Sequence, residues 1–222
     1  YEIEDNAAAL ISAGDNVLTN GNIHVDVNDG AGSSVVDASD GATLASFTAD
    51  IDFDVADTVA AISSVLTTTS LQTTMPAPIN QGSGIGMMHM PLSINTNGFI
   101  TNLDDANSVT ITSGTADVQQ AADIQSISGY EGSASDYDIT DNAAALISAG
   151  DGVLDVDGVD TVSVTGGPVD ADTGEALAEL SKDVEFDVVD DANAVAAEVT
   201  GSNGAGDLDE ANSVVVSGGD VD

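Results

Sequence analysis

The stretch Tyr137–Asp151, YDITDNAAALISAGD, repeats almost letter for letter the opening of the chain, Tyr1–Asp15, YEIEDNAAALISAGD. In YDITD the side chains of Tyr137 and Ile139 fall on one side and those of Asp138 and Thr140 on the other, the period of two expected of a half-buried strand. Asp141 stands where an N-cap should, accepting from the orphan amides of a helix that begins NAAALIS. Ala143, Leu146 and Ile147 are spaced to share one helical face, and Gly150 is placed to end the helix in a left-handed conformation. A strand, a capped helix and a stop therefore fit within one short phrase.

The phrase has looser copies in FDVAD (53–57) and FDVVD (186–190), which share the form aromatic, any, Ile or Val, any, Asp. Each copy has a second phrase downstream, beginning at Leu18, Leu103, Leu154 and Leu208, in which a polar loop leads to alternating Val or Ile and then Gly. After Leu154 the alternation of Val162 and Val164 precedes VDADTGEALAELSK, where Asp172 or Thr173 is the expected cap of a helix carrying Leu177 and Leu180. The pattern divides the chain into repeat 1 at 1–136, with half-repeats 1–52 and 53–136, and an incomplete repeat 2 at 137–222, with half-repeats 137–185 and 186–222. Alternating strands and helices favour parallel strands with crossover connections. The predicted fold class is α/β, an elongated solenoid-like array of short strands and short Asp-capped helices. An all-β sandwich of immunoglobulin type is the alternative, but it needs strands every 8–12 residues and no Ala-rich capped segments.

Matching Asp57 to Asp190 and Leu103 to Leu208 shows 28 additional residues in the first copy, an insertion at about 67–102. It holds every Met of the chain, three of its four Pro, and His89. Insertions in repeat arrays emerge on one face, so Met87, Met88, His89 and Met90 form the expected interaction loop. A lid folded over the neighbouring coil is the competing reading of the same segment.

Composition limits what such an array can do. Asp and Glu number 39 against a single basic residue, Lys182, giving a formal net charge of -38. Such a chain repels itself at low ionic strength, and salt shortens that repulsion to a range of about 8 Å. Nucleic acid and anionic membrane surfaces are excluded as partners because both are bound through Lys and Arg. There are no cysteines, so there is no disulfide, thiolate site or cysteine nucleophile. No stretch is long and apolar enough for membrane insertion. The abrupt start at Tyr1 is that expected of a processed protein or of a section of a longer one.

The carboxylates suggest one kind of chemistry. In DGVLDVDGVD, Asp151, Asp155, Asp157 and Asp160 crowd around Gly158, and a turn of this kind offers calcium several oxygens. It lacks the spacing and final Glu of an EF-hand. Asp170 and Asp172 form a similar Asp-rich turn, as do Asp37 and Asp40, and Asp50, Asp52 and Asp54 alternate in DIDFD. Each is equally readable as a solvated turn or a helix cap. Calcium is the one candidate cofactor, and Asp151, Asp155, Asp157, Asp160, Asp170 and Asp172 are its candidate ligands. Copper at MMHM is disfavoured, because Met beside Pro and Gly more often makes adaptable apolar contacts. His24, the other histidine, lies in the strand IHVDV with its side chain expected in solvent. No nucleophile elbow or phosphate loop is present, and sugar cleavage is disfavoured by the shortage of aromatic residues. The chain is read as no enzyme.

The phrases YDITDNAAALISAGD, FDVADTVAAI and LDEANSVVVSGG resemble the degenerate repeats of very large secreted bacterial proteins, cyanobacterial-type surface-layer and adhesin-like proteins and, in the broad sense, hemolysin-type calcium-associated ones. The glycine-rich nonapeptide of the hemolysin-type repeats is absent. The resemblance implies an extracellular or cell-surface location and a structural role, often with calcium. The expected function is self-assembly into a filament, sheath or surface layer, a homopolymer joined through its coil ends and insertion loop. The alternative is an adhesin or phage fibre segment that meets a cell-surface or polysaccharide target through the insertion.

Overall fold

The computed structural model describes residues 2–18, 24–28, 32–66, 103–200, 208 and 210–218. Strands and helices alternate from the start: β1 (Glu2–Asp5), α1 (Ala7–Ala13), α2 (Asp15–Leu18), β2 (His24–Val27), β3 (Val35–Val36), α3 (Ala38–Ala45) and β4 (Ile51–Asp52). The middle of the chain contributes β5 (Asp54–Asp57), α4 (Val59–Val65), β6 (Ser108–Ile111), β7 (Thr115–Ala116), α5 (Val118–Gln125) and β8 (Tyr137–Asp141). The remainder forms α6 (Ala143–Ala149), α7 (Asp151–Leu154), β9 (Val159–Val164), α8 (Ala171–Ala178), β10 (Val184–Glu185), β11 (Asp187–Asp190), α9 (Ala192–Thr200) and β12 (Ser213–Val216).

Every described strand pair is parallel, so the fold is mixed α/β and the antiparallel sandwich is ruled out. The strands form four sheets of one design. The third sheet has the order β7-β8-β9-β10 and the second has β3-β5-β6, extended by a bridge from Val109 to Tyr130. The first, β1-β2-β4, matches the last three positions of that order. The fourth, β11-β12 with Val169 bridged to Val188, matches the first three. The four aromatic-Asp phrases thus supply the second position of all four sheets. Helix α3 leads from β3 in the second sheet back to β4 in the first, and α5 and α8 make the same return one sheet later each time. The third sheet pairs residues on both sides of position 136, since β7 lies beside β8.

The 28 additional residues leave this pairing untouched. Asp54 lies opposite Ser108, 54 positions on, and Asp187 lies opposite Ser213, 26 positions on, in the same register. The insertion 67–102, including Met87, Met88, His89 and Met90, lies outside the described residues.

Strand β8 places Tyr137 and Ile139 in the core and turns Asp138 and Thr140 outward, as their alternation requires. The cap of the following helix is Asn142, one residue later than expected, whose side chain accepts from Ala145 N at 3.1 Å. Asn6, Thr58 and Asp191 do the same for α1, α4 and α9. This frees the aspartate of the phrase to hold two elements. One oxygen of Asp57 accepts from Thr58 N at 2.7 Å and the other from Ala38 N, the first amide of α3, at 3.1 Å. Asp141 joins Asn142 N to Val118 N of α5, and Asp190 joins Asp191 N to Ala171 N of α8. In α8 the expected cap also moves, from Asp172 or Thr173 to Asp170, which accepts from Thr173 N at 2.8 Å.

Gly150 ends α6 at φ 61° as expected, but its ψ of -173° is extended, and the chain turns at once into α7. One apolar core runs from Leu10 to Leu208, with α3 and α8 pressed onto the strand aromatics. There a side chain is excluded: a Cβ on Gly174 would stand 2.9 Å from Val188 Cγ2 and 3.2 Å from the Phe186 ring. Alanine, at position 121, fills the same place in α5.

Two outcomes follow from this packing. Asp57→Ala should lower the unfolding free energy by about 2–3 kcal/mol, because two amides lose a charged acceptor, whereas Asp160→Ala should stay within about 0.5 kcal/mol as an exposed site; urea denaturation measures both. Gly174→Val should cost about 1–3 kcal/mol through overpacking, read in the same way.

Candidate functional site

The outward face of the sheets carries acidic residues, and in three sheets a hydroxyl from the neighbouring strand holds the acid. Ser108 Oγ donates to Asp54 at 2.6 Å, Thr161 Oγ1 to Asp138 at 2.5 Å and Ser213 Oγ to Asp187 at 2.5 Å. Ser34 Oγ donates to the second oxygen of Asp54. Such charge-assisted bonds let an acidic face exist without basic partners.

The first sheet differs at this place. Glu2 stands opposite His24, and Glu4 opposite Asp26, which in turn faces Asp52 across β4. His24 Nε2 lies 3.2 Å from Asp26 Oδ1 and 3.0 Å from Asp52 Oδ2. Glu2, Glu4 and Asp26 also bring carboxylate oxygens within 4.8 Å of one another. The side chains are 54% exposed at His24, 26% at Asp26 and 42% at Asp52, so an ion can reach them from solvent. The solvent-facing His24 agrees with its place in IHVDV. Its partner Asp52 comes from a strand 26 positions further on, and Asp54 of the same DIDFD phrase belongs to the second sheet.

The six aspartates expected to hold calcium lie in and around α7, β9 and α8. Asp151 opens α7 and accepts from Ser181 N at 2.8 Å and Ser181 Oγ at 2.9 Å, as Asp15 does from Thr48. Asp155 closes α7, and the Asp157 carbonyl accepts from the Tyr130 hydroxyl at 3.0 Å. Asp160 lines a cavity of about 200 Å³ with Lys182, Asp183 and Glu185, while Lys182 Nζ donates to Val159 O at 2.7 Å. Asp170 caps α8, and its hydrogen bonds from Thr173 hold its carboxyl below the usual range. Asp172 lies in the first turn of α8. Among the described residues, the two groups of three or more potential ligands that converge within 4.8 Å are those of the first sheet, and neither contains any of the six.

A further acidic contact joins α8 to α9. Glu175 beside Glu198, with Asp172 nearby, pushes the Glu198 carboxyl above its ordinary pKa, chiefly through a carboxyl-to-carboxyl hydrogen bond. No helix of the described residues is long and apolar enough to cross a membrane. No protein-family model, curated protein or solved structure matches the chain.

A carboxyl whose folded pKa lies above its unfolded one binds its proton more tightly when folded, so its contribution to stability is lost as pH rises through the folded value. Glu198→Gln should therefore raise the melting temperature at neutral pH, with the gain shrinking towards pH 4; calorimetric scans across that range check the sign.

Proposed function

We propose that this is a non-enzymatic structural protein of the cell exterior, whose units stack as a solenoid and self-assemble into a filament, sheath or surface layer. The observation that carries this reading is the repetition of one parallel-sheet unit along the chain, with each unit bonded to the next through the strand aspartate. Ser108 and Ser213 take the same register position in β6 and β12, opposite Asp54 and Asp187.

The extreme acidity fits an environment in which salt or divalent cations screen it, and calcium remains the proposed stabilising ion. Calcium added at high sodium concentration should raise the melting temperature if it is bound specifically. The unchanged register around the insertion favours a second reading, an adhesin or fibre segment that carries a recognition loop on a rigid frame. Under that reading, deleting 67–102 abolishes target binding and spares assembly.

Electron microscopy and light scattering test the first reading. Wild-type protein should form extended assemblies at high salt and disperse at low ionic strength, where its net charge of -38 is unscreened. A wild-type chain that stays monodisperse with and without calcium overturns it.

A further inference from the structure

We propose that His24, Asp26 and Asp52 form a binding site for a divalent transition-metal ion of the zinc type, with Glu2 and Glu4 as neighbouring carboxylates. The donor set is not a patch of acids alone. It places one of the two imidazoles in the chain against two carboxylates on the face of a paired sheet. Nitrogen and carboxylate together suit zinc and its neighbours, whereas calcium takes oxygen.

The spacing fits. Bonds of about 2.1 Å put neighbouring donors about 3.0 Å apart at right angles and about 3.4 Å apart in a tetrahedron. The two imidazole-to-carboxylate separations are 3.0 and 3.2 Å. The parallel ladder fixes the backbones that carry these groups: Glu4, Asp26 and Asp52 lie side by side on one rung across the three strands, and Glu2 and His24 form the rung two residues earlier. All three donor atoms, of His24, Asp26 and Asp52, lie within 4.8 Å of one another.

Electrostatics point the same way. Nε2 faces two carboxylate oxygens and can serve both only as a positive pole, whether through its single proton or through a metal. The other three sheets meet the corresponding acid with a serine or threonine hydroxyl. The first sheet instead sets Asp26 and Asp52 against one imidazole, with Glu2 and Glu4 beside Asp26, an excess of negative charge that a divalent ion offsets. This site is independent of the calcium turns and of self-assembly.

Isothermal titration of the full chain with zinc chloride, in 1 M sodium chloride and excess calcium to saturate generic carboxylate binding, tests the proposal. One zinc per chain should bind, His24→Gln and Asp52→Asn should each weaken it by at least about tenfold, and His89→Gln should leave it unchanged. In the His89→Gln chain the remaining imidazole proton signals should shift with zinc in step with the heat. Equal affinity in wild type and His24→Gln, loss of binding in His89→Gln, or complete displacement by calcium would each overturn the site. Circular dichroism of each variant separates lost binding from lost folding, and Asp26→Asn provides an independent ligand deletion should Asp52→Asn not fold.

Discussion

The fold depends on a carboxylate that grips two helices at once. At the end of the second-position strand in three sheets, Asp57, Asp141 and Asp190 each accept from the amide of the residue that follows and from the first amide of a helix entering from the neighbouring strand. The helices are short, and helices of seven to nine residues are marginal alone in water. Their N-terminal amides are orphans that something must satisfy. In α3, α5 and α8 two separate aspartates do so: the strand carboxylate takes the first amide, and Asp37, Asp117 or Asp170 takes the third. Because the strand belongs to the next phrase of the sequence, this hydrogen bond locks successive units in register.

That device changes the meaning of the acidity. Read as composition, 39 acids against one base is a surface that needs salt. Read in the structure, many of these acids have backbone amides or hydroxyls as fixed partners, which stabilise the charged form without any lysine or arginine. Carboxylates close to a helix N-terminus gain further from its dipole. What remains unbalanced is the long-range repulsion, since hydrogen bonds satisfy an oxygen and leave its charge in place. Screening is therefore still required, and it acts on the surface between units rather than within the core.

Much of the arrangement was legible in YDITDNAAALISAGD. The two faces of the strand, the helix after it and the glycine stop follow from local rules, and the structure has all three. Asp141, the expected cap, holds Asn142 N at the start of α6 and also Val118 N of α5, 23 residues earlier, and no local pattern distinguishes an N-cap from such a bridge. Asp172 yielded its capping role to Asp170 for a related reason: in VDADTG several residues are competent, and the strand pairing of Val169 decides which one is first in the turn. The calcium turns were read from carboxylate density alone. Density could not reveal that Asp151 is held by Ser181, 30 residues away.

The same limit explains why the first-sheet cluster was missed, and it says where specific chemistry can arise in a repeated fold. His24 looks unremarkable in IHVDV, and Asp52 looks like one more acid in DIDFD. Parallel pairing makes them neighbours, and only position in the sheet order shows that this is where other units place a hydroxyl. A hydroxyl there completes a closed pair with the opposing acid. Histidine at that point leaves a nitrogen shared between two carboxylates, where elsewhere a hydroxyl satisfies the opposing acid. Repetition supplies the rigid ladder, and a departure at one rung converts a structural contact into a site with its own chemistry.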